Sequence, residues 1–236
     1  MKKINVIFLS VLILFLLVPG FSAQVKIKAP GVNWEKVYSF DRCNSFEVLF
    51  YRKTSELVKK IEYKTWYQTN GKDFSVKLLD MSGNYELETV FDLKNEVAIQ
   101  IWKTGAKPYY NAGGFKYPTE KEIKQLLLVP TEDSKMILGY NCKKYTYQYK
   151  KIFGEVWLTT EIQLSNDVGI FRAAKMSALH NTLSVGGFVM EMTTEDSKGG
   201  KTVMTTKALQ EVEKKVVNFE GVDMNTAINK VNYYTF

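Results

Sequence analysis

From Phe46 onward the chain alternates. Phe46, Val48 and Phe50 interleave with Glu47, Leu49 and Tyr51, and Ile61, Tyr63, Thr65 and Tyr67 interleave with Glu62, Lys64, Trp66 and Gln68. A period of two marks a strand with one buried face, because successive side chains point to opposite sides of the pleat. Asn70-Gly71 then supplies a hairpin turn, so residues 61–80 read as two paired strands. Leu87, Thr89, Phe91 and Leu93 form the next stripe, followed by a turn at Lys94-Asn95 and a stripe of Val97, Ile99 and Ile101. Further strands are expected at 124–130, 136–140, 144–151, 155–164, 187–195 and 201–213. In the third of these Tyr145, Tyr147 and Tyr149 share a face. Residues 24–45 show a mixed pattern with a turn at Pro30-Gly31, and Lys53 to Lys60 reads as a connection between strands.

Tight turns between successive strands imply an antiparallel sheet, since parallel neighbours need long crossovers. Nine to eleven strands are expected, and a sheet of that size tends to curl. Residues 167–182 break the rule. Their apolar residues recur at helical spacings, with Ser165, Asn166 and Asp167 available as caps and Gly186-Gly187 behind. Thr119 to Leu128 has capping-box spacing at Thr119 and Glu122, but Pro130 and the apolar run before it favour a strand there. The expected fold is mainly β (α+β): a strongly curved antiparallel sheet forming a half-open barrel, with one or two helices in or over its concave face. Neither a repeat nor a linker divides the chain, so residues 24–236 read as one domain.

Residues 1–23 read as a secretory signal. Lys2 and Lys3 precede an apolar run from Ile4 to Val18, then Pro19-Gly20 and the small residues before Gln24. Cleavage is expected after Ala23, with the mature protein periplasmic or secreted. Gln24 stands where a lipoprotein would carry its cysteine. Losing Lys2 and Lys3 leaves 30 basic against 25 acidic side chains, and the lysines are dispersed, so no nucleic-acid partner is expected. An oxidising compartment makes Cys43 and Cys142 candidates for a disulfide; the other reading is two separate packed thiols.

The chemistry-bearing residues are few. His180 is the sole histidine, so any Ser-His or Cys-His system would depend on it, and its place near a helix end reads as structural. No metal or cofactor pattern occurs. Gly200-Lys201-Thr202 resembles the end of a phosphate loop, but Glu195 occupies the position that needs glycine, and 197–200 reads as a hairpin turn. No spacing singles out a pair of carboxylates for glycoside hydrolysis. The chain is therefore expected not to be an enzyme.

Several segments carry a resemblance. ETVFDLKNEVAIQIW (88–102), MILGYNCKKYTYQYK (136–150), EVWLTTEI (155–162) and the stretch 186–219 resemble the domain-of-unknown-function family 4412 of secreted Bacteroidetes proteins. Asp92, Gly139, Tyr140, Cys142, Tyr145 and Trp157 occupy its pattern positions, while Cys43 departs from it. The resemblance implies a fold similar to the periplasmic lipoprotein carriers and sorting factors (LolA-like). The function expected is a non-enzymatic binder or carrier of a lipid, a lipidated protein or another hydrophobic ligand, with peripheral membrane contact. The alternative is a cell-envelope interaction module with a filled core. The cleft is expected to be lined by Phe171, Met176, Leu179, Tyr147, Met190 and Phe188.

Overall fold

A computed structural model describes residues 32–80, 86–103, 107–116, 126–174, 176, 179, 185–226 and 231–232. The expected signal (1–23), the turn at Pro30-Gly31, the capping-box segment up to 125 and His180 lie outside the described residues. Eleven antiparallel strands form one mainly β sheet. They are β1 (Val37–Tyr51), β2 (Leu57–Tyr67), β3 (Phe74–Asp80), β4 (Glu86–Asp92), β5 (Val97–Lys103), β6 (Tyr109–Lys116), β7 (Leu128–Ile137), β8 (Tyr140–Tyr149), β9 (Ile152–Thr159), β10 (Phe188–Asp196) and β11 (Lys201–Asn218). Two short bridges, β12 (Asn225–Thr226) and β13 (Val231–Asn232), pair in parallel with β6.

The spatial order runs β6-β5-β4-β3-β2-β1-β11-β10-β9-β8-β7, and the sheet does not close on itself. Two meanders, β1 to β6 and β7 to β11, therefore meet along a single seam. That seam is the long β1–β11 pairing, from Val37 opposite Asn218 to Tyr51 opposite Lys201. Its register shifts between Phe40 and Arg42 and again on either side of Ser45. Each shift breaks the period of two, which is why Val37 to Ser45 does not read as strand in the sequence. Strand β6 was also unexpected. Its Asn111-Ala112-Gly113-Gly114 centre has low strand propensity, and burial of four successive residues, Ala112 to Phe115, removes the alternation. β7 joins the end of one expected strand, 124–130, to the start of another, 136–140, across an irregularity between Pro130 and Ser134, and the second expected strand runs on over the Leu138-Gly139 turn into β8.

Asn44 lies fully buried at the seam irregularity. Its Oδ1 accepts the Gln210 backbone N–H at 2.8 Å, and its Nδ2 donates to the Val168 carbonyl at 2.9 Å. One side chain thus satisfies a backbone group on β11 and anchors the segment that crosses the sheet. That segment starts with a 3-10 turn at Asn166–Val168, capped by Ser165, whose hydroxyl accepts from the Asp167 N–H. Helix α1 (Ile170–Ala174) follows. The helix expected over 167–182 is thus shorter in what is described. It starts after Gly169, and Asn166 ties the turn to β10 through Gly187 and Val189. Residues 175, 177, 178 and 180–182 of the expected span lie outside the described residues.

Two apolar clusters occupy opposite faces. The larger includes Phe46, Tyr63, Phe74, Phe91, Phe171, Phe188 and Met190 under the crossing segment. The smaller gathers Tyr38, Phe40, Trp66, Val90, Ile99 and Phe219. The candidate disulfide is not formed. Cys43 and Cys142 are both free and buried, one in each cluster. Cys43 is on β1 and Cys142 on β8, with β11, β10 and β9 between them, so about 19 Å of sheet separates their strands at ~4.8 Å per neighbour. Burial pushes the Cys43 thiol up to about 12 and the Cys142 thiol up to about 11.

Two predictions follow from this packing. In the folded protein neither thiol should react with a thiol reagent at pH 8, and both should react without reductant once the chain is denatured; a mass two hydrogens lower, with no alkylation, would contradict it. Asn44→Ala should cost about 2 kcal/mol in urea unfolding, because it strands the buried Val168 carbonyl and removes the partner of the Gln210 N–H.

Candidate functional site

The registers build two hollows at the same end of the sheet. On the inner face Ile61, Val48 and Met204 lie in one cross-strand row, and Lys59, Phe50 and Thr202 in the next. Helix α1 lies above these rows, bringing Arg172, Ala173 and Ala174, with Met176 just beyond. Between helix and strands lies a groove of about 600 Å³, lined further by Leu78 on β3 and by Thr194 and Ile152 on β10 and β9. Its surface is apolar toward α1 and polar at the strand ends, where Lys59, Asp196 and Lys201 stand. Asp196 is committed to the β10–β11 turn: its Oδ1 accepts the Lys198 and Gly200 N–H groups at 2.8 and 2.9 Å, which hold its carboxyl below the usual range.

Arg172 lies at the groove's inner limit. It is 3% exposed, and its guanidinium carbon sits 4.5 Å from the Phe91 ring centre, 5.1 Å from Phe171 and 5.8 Å from Phe74. Phe74 and Phe91 stack with centroids 4.8 Å apart, and Phe115 meets Phe91 edge-on. A planar cation held by aromatic faces is stabilised by their quadrupoles without bulk water. Deep burial among rings also pushes the Tyr63 hydroxyl far above its ordinary value.

The second hollow, about 680 Å³, lies on the outer face of β7 to β11. Thr146, Glu155 and Thr193 form one cross-strand row there, and Phe153, Glu195 and Lys201 the next. Leu127, Val129 and Phe153 are more than half exposed along it. Glu155 pairs with Lys144 at 3.0 Å and Glu195 is exposed, so neither carboxyl has the water-poor surroundings of a catalytic acid. Among the described residues no group of three or more His, Cys, Asp or Glu could hold a metal ion.

The six expected cleft residues separate. Met176 lines the inner groove. Tyr147 lines the outer hollow, its ring passing close over Gly154, where a Cβ would meet the Tyr147 hydroxyl at 2.5 Å and the Thr193 carbonyl at 2.2 Å. Phe171, Leu179, Phe188 and Met190 are core residues, each 2% exposed or less, and line neither hollow. The expected cleft drew on the helical segment, β8 and β10, whereas the strand wall of the groove is Val48, Phe50, Ile61 and Met204 on β1, β2 and β11. The signal was the Phe46-Val48-Phe50 stripe, whose Val48 and Phe50 line the groove.

The residues that carried the family resemblance have structural roles here. Asp92 is fully buried and accepts from the Tyr38 hydroxyl at 2.7 Å and from the Asn95 N–H and side chain at 2.8 and 2.7 Å, which fixes the β4–β5 turn. Leu138 and Gly139 both take positive φ in the β7–β8 turn. Trp157 is flanked by Lys135, whose Nζ is 4.3 Å from the ring centre and which also pairs with Glu191.

No family model matches the chain, and no curated protein matches it in sequence. Solved structures of PNGF-II in two space groups are similar at 14% and 15% identity, with TM-scores of 0.38 and 0.40. They cover 79% and 82% of this chain, which spans about a third of theirs, 31% and 32%.

Phe91→Ala should cost about 3–5 kcal/mol in urea unfolding, since it opens a cavity and removes the ring nearest Arg172. Phe153→Ala, at an exposed position, should stay within about 0.5 kcal/mol. Similar costs for the two would contradict this division of core from rim.

Proposed function

We propose that the protein is a non-enzymatic binder or carrier of a hydrophobic molecule, held in the groove between α1 and the inner face of β1, β2 and β11. The observation that carries this reading is the groove itself: about 600 Å³, walled by Val48, Phe50, Ile61, Leu78, Met176 and Met204. Such a volume and lining suit an acyl chain, and two methionine side chains adapt to chains of different shape. The polar strand ends leave a headgroup in water.

In this reading the sheet is strongly curved, the half-barrel that the resemblance to family 4412 and to the lipoprotein carriers implies. Two contacts support curvature, and both lie on the face of the smaller cluster, away from α1. The Tyr38 hydroxyl on β1 reaches Asp92 on β4, three strands away, and Phe219 packs against both Tyr38 and Tyr110, on β1 and β6, at 5.9 and 6.2 Å. On a flat sheet β1 and β6 stand about 24 Å apart. In this reading residues 1–23 are a secretory signal, and the carrier is periplasmic or secreted and begins at Gln24. Its partner is a lipid or a lipidated protein.

A second reading, an envelope interaction module with a filled core, is favoured by the solid packing of Phe171, Leu179, Phe188 and Met190. One experiment separates the two. Mature protein, purified without detergent, should displace a fluorescent fatty acid from water with a 1:1 stoichiometry. Ile61→Trp and Met204→Trp, which fill the groove, should each weaken uptake about tenfold or more while the fold is retained by circular dichroism. A protein that takes up no fatty acid, or that takes it up equally well with the groove filled, is not a carrier of this kind.

A further inference from the structure

The hairpin registers gather three turns at the groove end of the sheet: 52–56, 150–151 and 197–200. Together they hold Arg52, Lys53, Lys150, Lys151 and Lys198 against two acids, Glu56, which pairs with Arg52 at 3.4 Å, and Asp196, whose carboxylate closes the third turn. All five cations are exposed. The first and third of these turns lie against one another, since a Cβ on Gly199 would meet Lys53 Cγ at 3.0 Å. The opposite end differs. Its fully described turns, 68–73, 93–96, 138–139 and 160–165, hold Lys72 and Lys94 against Asp73, Glu96 and Glu161. Charge is thus polarised along the strands although the chain as a whole is only mildly basic, and the basic pole is the end where the groove opens.

Apolar side chains stand among these cations. Leu57 and Val58, at the start of β2, are 50% and 45% exposed, and Phe153, at the start of β9, is 52% exposed. Lys201 belongs to both hollows, so the outer apolar strip and the inner groove meet at this pole. Exposed aromatic and aliphatic side chains ringed by lysines suit the interface of an anionic bilayer, where cations gain from the surface potential and apolar groups enter the headgroup boundary. A soluble acidic protein would match the charge and leave the apolar side chains without purpose.

We propose that this pole docks on anionic lipid membranes, with the groove mouth facing the bilayer. The surface does not depend on the groove being occupied, and the two ideas fail separately in the test. Mature protein is floated with vesicles of phosphatidylcholine alone and of phosphatidylcholine mixed equally with phosphatidylglycerol. Fatty acid uptake is measured on the same preparations without vesicles.

Binding to the anionic vesicles should exceed binding to the neutral ones at least about tenfold and fall away near ~1 M salt. The four-site variant Lys53→Glu, Lys150→Glu, Lys151→Glu, Lys198→Glu should lose at least about tenfold in vesicle binding and keep its fatty acid uptake. Lys36→Glu with Lys72→Glu, away from this pole, should change vesicle binding less than about twofold. Phe153→Ser should weaken it about fivefold or more. Equal binding to both vesicles, no binding to either, or undiminished binding by the four-site variant overturns the docking face. Absent fatty acid uptake by the unmodified protein counts against the groove alone.

Discussion

The seam between β1 and β11 is the constraint on which the rest depends. Every other pairing between the eleven long strands joins neighbours in sequence or, at β9 and β10, strands linked by the crossing segment. Only the seam joins residues more than 140 positions apart, and it does so over the longest strands of the molecule. Two meanders that could each form locally become one sheet because Val37–Tyr51 and Lys201–Asn218 find each other. The entropy of closing so large a loop is met by apolar burial at Phe46 and Val48, flanked by Met204 and Thr206. Asn44 makes the irregular part of the seam tolerable by supplying hydrogen bonds that the shifted register withholds.

The same seam positions the groove. Along most of its length the inner face is sealed by the segment after β9, whose Val168, Ile170 and Phe171 are buried against the strands. Sealing fails at one end because α1 turns small residues, Ala173 and Ala174, toward strand positions that are themselves modest in size, such as Val48 and Thr202. A filled core and an open groove are therefore parts of one design. The aromatic cluster around Arg172 holds the helix down, and the hollow lies beyond it.

Much of the fold was legible in the sequence wherever one face of a strand is wet. The stripes of β2, β4 and β8 and the turn at Asn70-Gly71 are all visible in the letters, and so is the cap at Ser165. Legibility fails where that physical premise fails. Residues 37–45 lose their period at two register shifts, and Ala112 to Phe115 are buried in succession. The site was less legible than the fold. Apolar spacing around Phe171 and Leu179 indicates burial, yet burial by neighbours and burial by a ligand leave the same pattern. Only the registers, which set Val48 beside Ile61 and Met204, distinguish them. The polarity of the turns is likewise invisible along the chain, because folding alone brings Lys53, Lys150 and Lys198 to one end of the sheet.

The proposed function stands on the hollow beneath α1 taking up an apolar chain. A crystal of the mature protein grown with a terminally brominated fatty acid, measured at the bromine edge, tests it most directly. An anomalous peak is expected between Ile61, Met204 and Met176. A peak confined to the outer hollow beside Phe153, or none in a well-ordered crystal, would contradict it.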